Sequence, residues 1–460
     1  MYAKNAWQQY SPEDMKALEA FAQDYRKFLD GGKTERECVK EAVAEAEAKG
    51  FKSLDDVIRS GETVKPGDRI YCAWMKKSFM AFIVGTEPME NGMNILGAHI
   101  DSPRMDIKQN PMYEDESIAY LDTHYYGGIK KYQWVARPMA LHGVVCRKDG
   151  SKVIVNIGEK ADDPVVGVSD LLIHLAAKQM EKKGSTVVEG EALNVLAGSI
   201  PMAGEEKDPV RKYLLDLLKQ EYDIEEDDFL SAEIEVVPAG EARDYGLDRS
   251  MILGYGHDDR VCAYTSLRAI LEMKNPERTS CCILTDKEEI GSVGATGMHS
   301  RWFEMVITTM LAHAGKADLV HLNETLTNSM MLSSDVSAAV DPNYEDVNDL
   351  KNAAYFGKGI VFNKYTGARG KSGSNDANPE FIAKVRKAME DSDVMFQTAE
   401  LGAVDVGGGG TIAYILAQLN MDVMDAGIAV QNMHAPCEIV SKADVYEGYR
   451  AYKAFLMNVH

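Results

Sequence analysis

Five short segments carry residues able to do chemistry, and each lies at the edge of a predicted strand or helix. GAHIDSP offers His99 and Asp101, GYGHDDR offers Asp258 and Asp259, and TDKEEIGSVGATG offers Asp286, Glu288 and Glu289. LSSDVSAAVDPNY offers Asp335, and VQNMHAPCEIVS offers His434. In a strand, residues two apart share a face, so His99 can hold a cation while Asp101 orients its imidazole. Asp258 and Asp259 open a helix, where acids are common. A carboxylate there can equally bridge two cations, since it has two oxygens to share. Glu288 and Glu289 follow a buried strand and precede Gly291, Gly294 and Gly297, a pattern of close backbone packing. Two adjacent acids in such a place need a partner for their charge. A cation meets that need, with one carboxylate binding it and the other taking a proton from water. Each segment alone reads as an acidic loop, an acidic helix start or an ordinary histidine. Together, two histidines and three acids at element ends of one domain make the ligand set of a two-metal hydrolase.

The elements that must position these residues alternate. Ser11-Pro12-Glu13 opens a helix, with Ser as cap and Pro at the first helical position, and Gly31-Gly32 stops it. RIYCAW, FMAFIVG and NILGAHI read as strands. The pattern changes near 107–240, where VARPMALHGVVCR and KVIVNIG read as strands while DLLIHLAAKQM and PVRKYLLDLLKQEYDIEEDDF read as helices. The earlier style then returns: helix DDRVCAYTSLRAILEM, strands SCCILTD, MMLSS and DVMDAGIAV, and a final helix from Lys442. The alternation predicts an α/β fold, a doubly wound sheet over 1–106 and 241–460, interrupted by a second, mostly β domain over 107–240. Open α/β sheets bind ligands beyond the carboxyl ends of their strands, which is where the acids and histidines fall.

Composition narrows the class of function. With 460 residues, two domains are the default. The 50 basic and 72 acidic residues leave a net charge of −22, which repels nucleic acid and anionic membrane, so neither is an expected partner. The cysteines number seven, an odd count, and no C-x-x-C occurs, so reduced thiols are expected rather than a disulfide frame. No stretch has the apolar core of a signal peptide, and no run of about 18 apolar residues exists. A cytoplasmic location is the expectation.

GAHIDSP, GHDDR, DKEEIGS, SSDVSAAVDPNY and NMHAPCEIV, in that order and approximate spacing, resemble the aspartyl aminopeptidase and vacuolar aminopeptidase I family of dinuclear zinc metallopeptidases. The resemblance extends over nearly the whole chain, and its combined motifs are far more specific than any one. It implies a zinc-peptidase domain carrying a dimerisation domain, and a homo-oligomer, a dodecamer built from dimers. It implies hydrolysis of the N-terminal residue from peptides with a free N-terminus. Two divalent ions per chain are implied, zinc first, with cobalt or manganese as alternatives. His99, Asp258, Glu289, Asp335 and His434 would be the ligands, Asp258 bridging; Glu288 would be the general base and Asp101 the orienter of His99. His174, in DLLIHLA, matches a histidine that reaches into a neighbouring subunit's site, as metal ligand or oxyanion stabiliser; the residues alone read it as a polar position on an amphipathic helix. Family members often have histidines where this chain has Ala338 and Asp341, and a lysine where it has Asn363. Without that lysine, neutral or apolar first residues such as Leu or Met are expected over Asp or Glu, unless Lys364 or Arg369 supplies the charge. The alternatives are a glutamyl or deblocking two-metal aminopeptidase with acidic preference, an acylase or carboxypeptidase, and a non-catalytic assembly protein on the same fold.

Overall fold

The computed structural model describes residues 4–460, which pack into two units. The first comprises residues up to 101, 242–433 and 438–460; the second comprises 102–241 and 434–437.

Among the described residues, the first unit is built on a nine-stranded sheet. In chain order its strands are β1 (Lys52–Ser53), β2 (Arg69–Trp74), β3 (Ser78–Ile83), β4 (Met93–His99), β5 (Thr279–Thr285), β6 (Met330–Ser333), β7 (Ile360–Asn363), β8 (Phe396–Thr398) and β9 (Asp422–Gly427). They lie side by side as β1-β2-β3-β5-β4-β6-β9-β7-β8. The central four, β5, β4, β6 and β9, are mutually parallel. Their apolar runs are continuous because both faces are covered. Leu96, Leu284, Leu332 and Met424 enter one core, and the alternate residues Ile95, Ile283, Met331 and Val423 enter the other. Helix His257–Leu271, with every residue except Arg268 buried, packs against β4 and against the terminal helix Lys442–Asn458.

Helix Pro12–Gly31 starts as its sequence predicts: Ser11 and Asp14 form a reciprocal capping box behind Pro12. Helix Glu35–Ala48 uses Thr34 and Glu37 in the same way. Ser441 stands at the cap of the terminal helix, but its side chain makes no capping bond. The stretch DVMDAGIAV, expected as one strand, divides. β9 ends at Gly427, and Ala429–Gln431 joins a separate five-stranded sheet with Arg243–Tyr245, Met251–Gly254, Glu438–Ser441 and Ser337–Ala338.

The second unit is a six-stranded antiparallel sheet in the order Lys152–Ile157, Met139–Cys146, Ala232–Pro238, Arg104–Asp115, Ile118–Tyr126, Val195–Gly198. Val145, Val155, Ile224, Phe229 and Ile234 form a core within it. Of PVRKYLLDLLKQEYDIEEDDF, expected as one helix, Pro209–Tyr222 is helical, and a separate 3-10 segment, Glu226–Ser231, follows. DLLIHLAAKQM, also expected as a helix, yields a 3-10 turn, Ile173–Leu175, and a four-residue helix, Ala177–Met180. A short helix needs a buried apolar face to hold it. Here Leu171, Leu172, Ile173 and Leu175 are all exposed, and Ala176 alone among residues 171–180 is buried. Among the described residues, no helix is long and apolar enough to cross a membrane.

Candidate metal centre

Sheet register brings the predicted residues of the first unit together. Thr285 pairs with His99 across β5 and β4, and Ser333 pairs with Gly97 across β6 and β4. Asp335, two residues past Ser333, therefore leaves the sheet level with His99, while Glu288 and Glu289 follow β5 on the other side. Ligand-type atoms of His99, Asp258 and Glu289 lie within 4.8 Å of one another, as do those of His99, Glu288 and Asp335.

His99 is buried, and its two nitrogens face different partners. Nδ1 lies 3.0 Å from the Asp101 carbonyl oxygen and 3.3 Å from Asp101 Oδ1, so Nδ1 carries the proton of the neutral ring. Nε2 is turned toward Asp258 Oδ1 at 3.2 Å and Glu288 Oε2 at 3.8 Å. Asp101 does more than orient the ring. Its Oδ1 accepts the Glu288 N–H at 3.1 Å and its Oδ2 accepts the Glu289 N–H at 3.1 Å. The carboxylate thus ties the end of β4 to the 3-10 turn Glu288–Ile290.

The cluster carries more negative charge than it can balance. Around one imidazole stand Asp101, Asp258, Asp259, Glu288, Glu289 and Asp335. Burial disfavours a charged His99 ring, but hydrogen bonds to Asp101 and Asp258 and the Glu288 charge outweigh it and hold the ring's pKa well above its ordinary value. Burial first, and then the Asp259 charge, push the Asp335 carboxyl well above its ordinary range. Burial does the same to Asp259, whose Oδ2 accepts the His99 N–H at 3.2 Å. Six carboxylates gathered around a single imidazole bring together negative charge that a cation would offset. Oxygen and imidazole donors of this kind suit divalent cations. The residues therefore fit a metal site.

Asp286 is fully buried beside them, with Lys287 Nζ at 3.1 Å and Lys77 Nζ at 3.7 Å from its Oδ2 and a bond from the Thr296 hydroxyl. It anchors the base of the Glu288 turn. The sequence assigned no specific role to two contributors, Asp259 and Glu438. Asp259 was visible in GHDDR, but only the structure shows it holding the His99 backbone. Glu438, four residues after His434, is 1% exposed and accepts the Asp258 N–H at 2.9 Å.

Of the other predicted residues, His434 and His174 belong to the second unit, and Asn363, Lys364 and Arg369 to the first. His434 packs with the second unit, in a left-handed conformation with φ 65°. Its Nδ1 donates to Gly128 O at 2.7 Å, which puts the lone pair of the neutral ring on Nε2. His174 is exposed within the 3-10 turn of the second unit. Asn363 ends β7, is 3% exposed, and donates its amide to Ala399 O at 2.9 Å. Lys364 and Arg369 are exposed, Arg369 in a left-handed turn with φ 45°.

Comparison with known proteins now bears on the site. The family profile described as "Aminopeptidase I zinc metalloprotease (M18)" matches residues 28–456. This chain belongs to the M18 aminopeptidase family. A probable M18 family aminopeptidase 1 of Clostridium acetobutylicum is 57% identical over 456 residues, 99% of this chain and 98% of the relative. The crystal structure of an M18 aminopeptidase from Thermotoga maritima superimposes with a TM-score of 0.95 at 45% identity, covering 100% of both chains. More distantly, the mApe1 dodecamer of S. cerevisiae shares the fold with a TM-score of 0.75 at 18% identity, covering 94% of this chain and 95% of that one. The M18 membership makes the chain an aminopeptidase of a zinc metalloprotease family. In this M18 chain the acid-and-histidine cluster stands at the carboxyl ends of three adjacent parallel strands, β5, β4 and β6.

One backbone feature of the M18 site is directly testable. A Cβ on Gly427 would stand 1.6 Å from Asp335 O and 2.4 Å from its carbonyl carbon. Gly427→Ala must therefore displace Asp335. A misplacement of about 1 Å typically costs ~10²-fold in rate. The expected result is a folded variant, by circular dichroism, with turnover reduced by that order; unchanged turnover would show that Asp335 is not held where catalysis needs it.

Proposed function

We propose that this chain removes N-terminal residues with neutral or apolar side chains from peptides, using two divalent ions, zinc first and cobalt or manganese as alternatives. The observation that carries the reading is the surplus of buried and half-buried carboxylates around His99. His99, Asp258, Glu289 and Asp335 would hold the metal, with Asp258 bridging, and His434 is proposed as a further ligand on its family motif and its Nδ1 bond to Gly128. When bound, the ions supply Lewis-acid polarisation of the scissile carbonyl and ease the deprotonation of water. Glu288 accepts the proton of the attacking water and returns one to the leaving amine. Asp101 keeps the His99 proton on Nδ1 and fixes the turn that carries Glu288.

The preference for a neutral first residue rests on Asn363. Its side chain is buried and committed to Ala399 O, and an amide cannot neutralise a carboxylate. A buried, unpaired substrate carboxylate costs several kcal/mol. Lys364 and Arg369, the first two cations after Asn363 in sequence, are solvent-exposed.

The second unit is proposed as a dimerisation domain within a homo-oligomer, a dodecamer built from dimers; the yeast mApe1 neighbour is a dodecamer. The exposed Leu171, Leu172, Ile173 and Leu175 around His174 support a subunit contact there. His174 would then act at a neighbouring subunit's site, steadying the oxyanion. The proposed compartment is the cytoplasm, in keeping with seven free cysteines.

A panel of aminoacyl reporters, after zinc loading, tests the reading. Leu and Met reporters are expected to exceed Asp and Glu reporters at least tenfold in kcat/KM, a difference of about 1.4 kcal/mol. N-acetylated counterparts are expected to resist. An aspartyl or glutamyl preference would replace this reading with the acidic alternative, and cleavage of the acetylated forms would point to an acylase.

A further inference from the structure

Helix His257–Leu271 opens without a cap of its own. Gly256, at the cap position, has no side chain, and Asp258 and Asp259 depart from helical dihedral angles, with ψ of 106° and 25°. The first N–H groups of a helix have no acceptor within it. At this opening the chain must also present Asp258 at a fixed place.

The three residues at the opening are each tied to a different element. His257 Nδ1 accepts from the Tyr25 hydroxyl at 2.6 Å, and its Nε2 donates to Ile252 O at 3.2 Å. Burial pushes its pKa down to about 3, so the ring is a neutral strut. Asp259 receives the backbone N–H of His99. Asp258, between them, is tied through its own N–H to Glu438 Oε2 at 2.9 Å.

Glu438 begins the strand Glu438–Ser441, whose antiparallel pairing sets it opposite Gly254, just upstream of the helix. Its neighbours Ile439 and Val440 are apolar and buried, so a carboxylate at 1% exposure is out of keeping with the strand. Its Oε2 is turned to the Asp258 N–H, at the irregular opening of the helix.

We propose that Glu438 is a positioning residue of the metal centre: from another strand it accepts the Asp258 N–H and so holds the Asp258 carboxylate in place. The proposal rests on the reading of Asp258 as a metal ligand. Partners of this kind typically carry about 10- to 100-fold in metal affinity.

The test uses the full-length chain with three substitutions, zinc titration, kcat and KM, and thermal unfolding as a check on folding. Glu438→Met keeps bulk but has no acceptor oxygen. It is expected to lose zinc affinity by roughly 10- to 100-fold, with kcat falling and KM nearly unchanged. Glu438→Gln keeps an oxygen at the same reach and is expected to retain zinc close to the wild-type level. Glu438→Asp keeps the charge but falls short, and is expected to follow Glu438→Met; it decides the matter if the Met variant does not fold. A folded Met or Asp variant with wild-type zinc affinity and kcat would overturn the proposal, and so would a Gln variant as weak as Met. A wild-type chain that binds no zinc would instead overturn the metal-centre reading itself.

Discussion

Glu288→Gln is expected to lower turnover by about 10²-fold or more while leaving metal content near the wild-type level. The amide preserves shape but cannot accept the proton. Both glutamates of the turn come within ligand distance of His99, Glu288 with Asp335 and Glu289 with Asp258, so proximity does not divide their roles. The paired substitution does. Glu289→Gln is expected to lose metal as well as activity, because a neutral amide oxygen is a much weaker ligand than a carboxylate. Elemental analysis and steady-state kinetics on both variants read the two effects separately. Metal loss in Glu288→Gln beside an active Glu289→Gln would reverse the assignment.

His99→Ala is expected to abolish activity and to strip the site of metal. His99 belongs to both groups of closely placed ligand atoms, so its removal disturbs every proposed contact in the first unit. The loss in metal affinity should exceed the roughly 10- to 100-fold carried by residues that merely orient a ligand. Asp101→Asn provides that comparison. Its amide can still accept one of the Glu288 and Glu289 N–H groups, but it can no longer pair with His99 as a carboxylate. An intermediate metal affinity is expected for it. Equal metal affinity in His99→Ala and the wild type, by zinc titration, would remove His99 from the ligand set.

The ends of β4, β5 and β6 were legible in the sequence because each is a short apolar run closed by an acid or histidine. Burial on both faces makes such strands continuous rather than alternating, and the change to polar residues then marks where each leaves the sheet. Their order in space was not legible. β4 lies between β5 and β6, although 179 residues of chain separate the end of β4 from the start of β5, and no local pattern encodes such a crossover. For the same reason, the bonds from Asp258 to Glu438 and from His99 to Asp259 were invisible: they join residues 180 and 160 apart. Local pattern also misled where tertiary packing overrides it. DLLIHLAAKQM has helical spacing, but without a core to cover its apolar side it forms only a 3-10 turn and a four-residue helix. DVMDAGIAV has the composition of one strand, yet it divides after Gly427, where the backbone of Asp335 leaves no room for a side chain.

Metal analysis coupled to activity tests the central claim most directly. The purified chain is stripped with a chelator and then reloaded separately with zinc, cobalt and manganese. Bound metal per chain and hydrolysis of a leucyl reporter are measured at each stage. The account predicts that stripping abolishes hydrolysis, and that it returns as the content approaches two ions per chain, the number a two-metal hydrolase holds. Full activity in a chain carrying no metal under any of these conditions would contradict it.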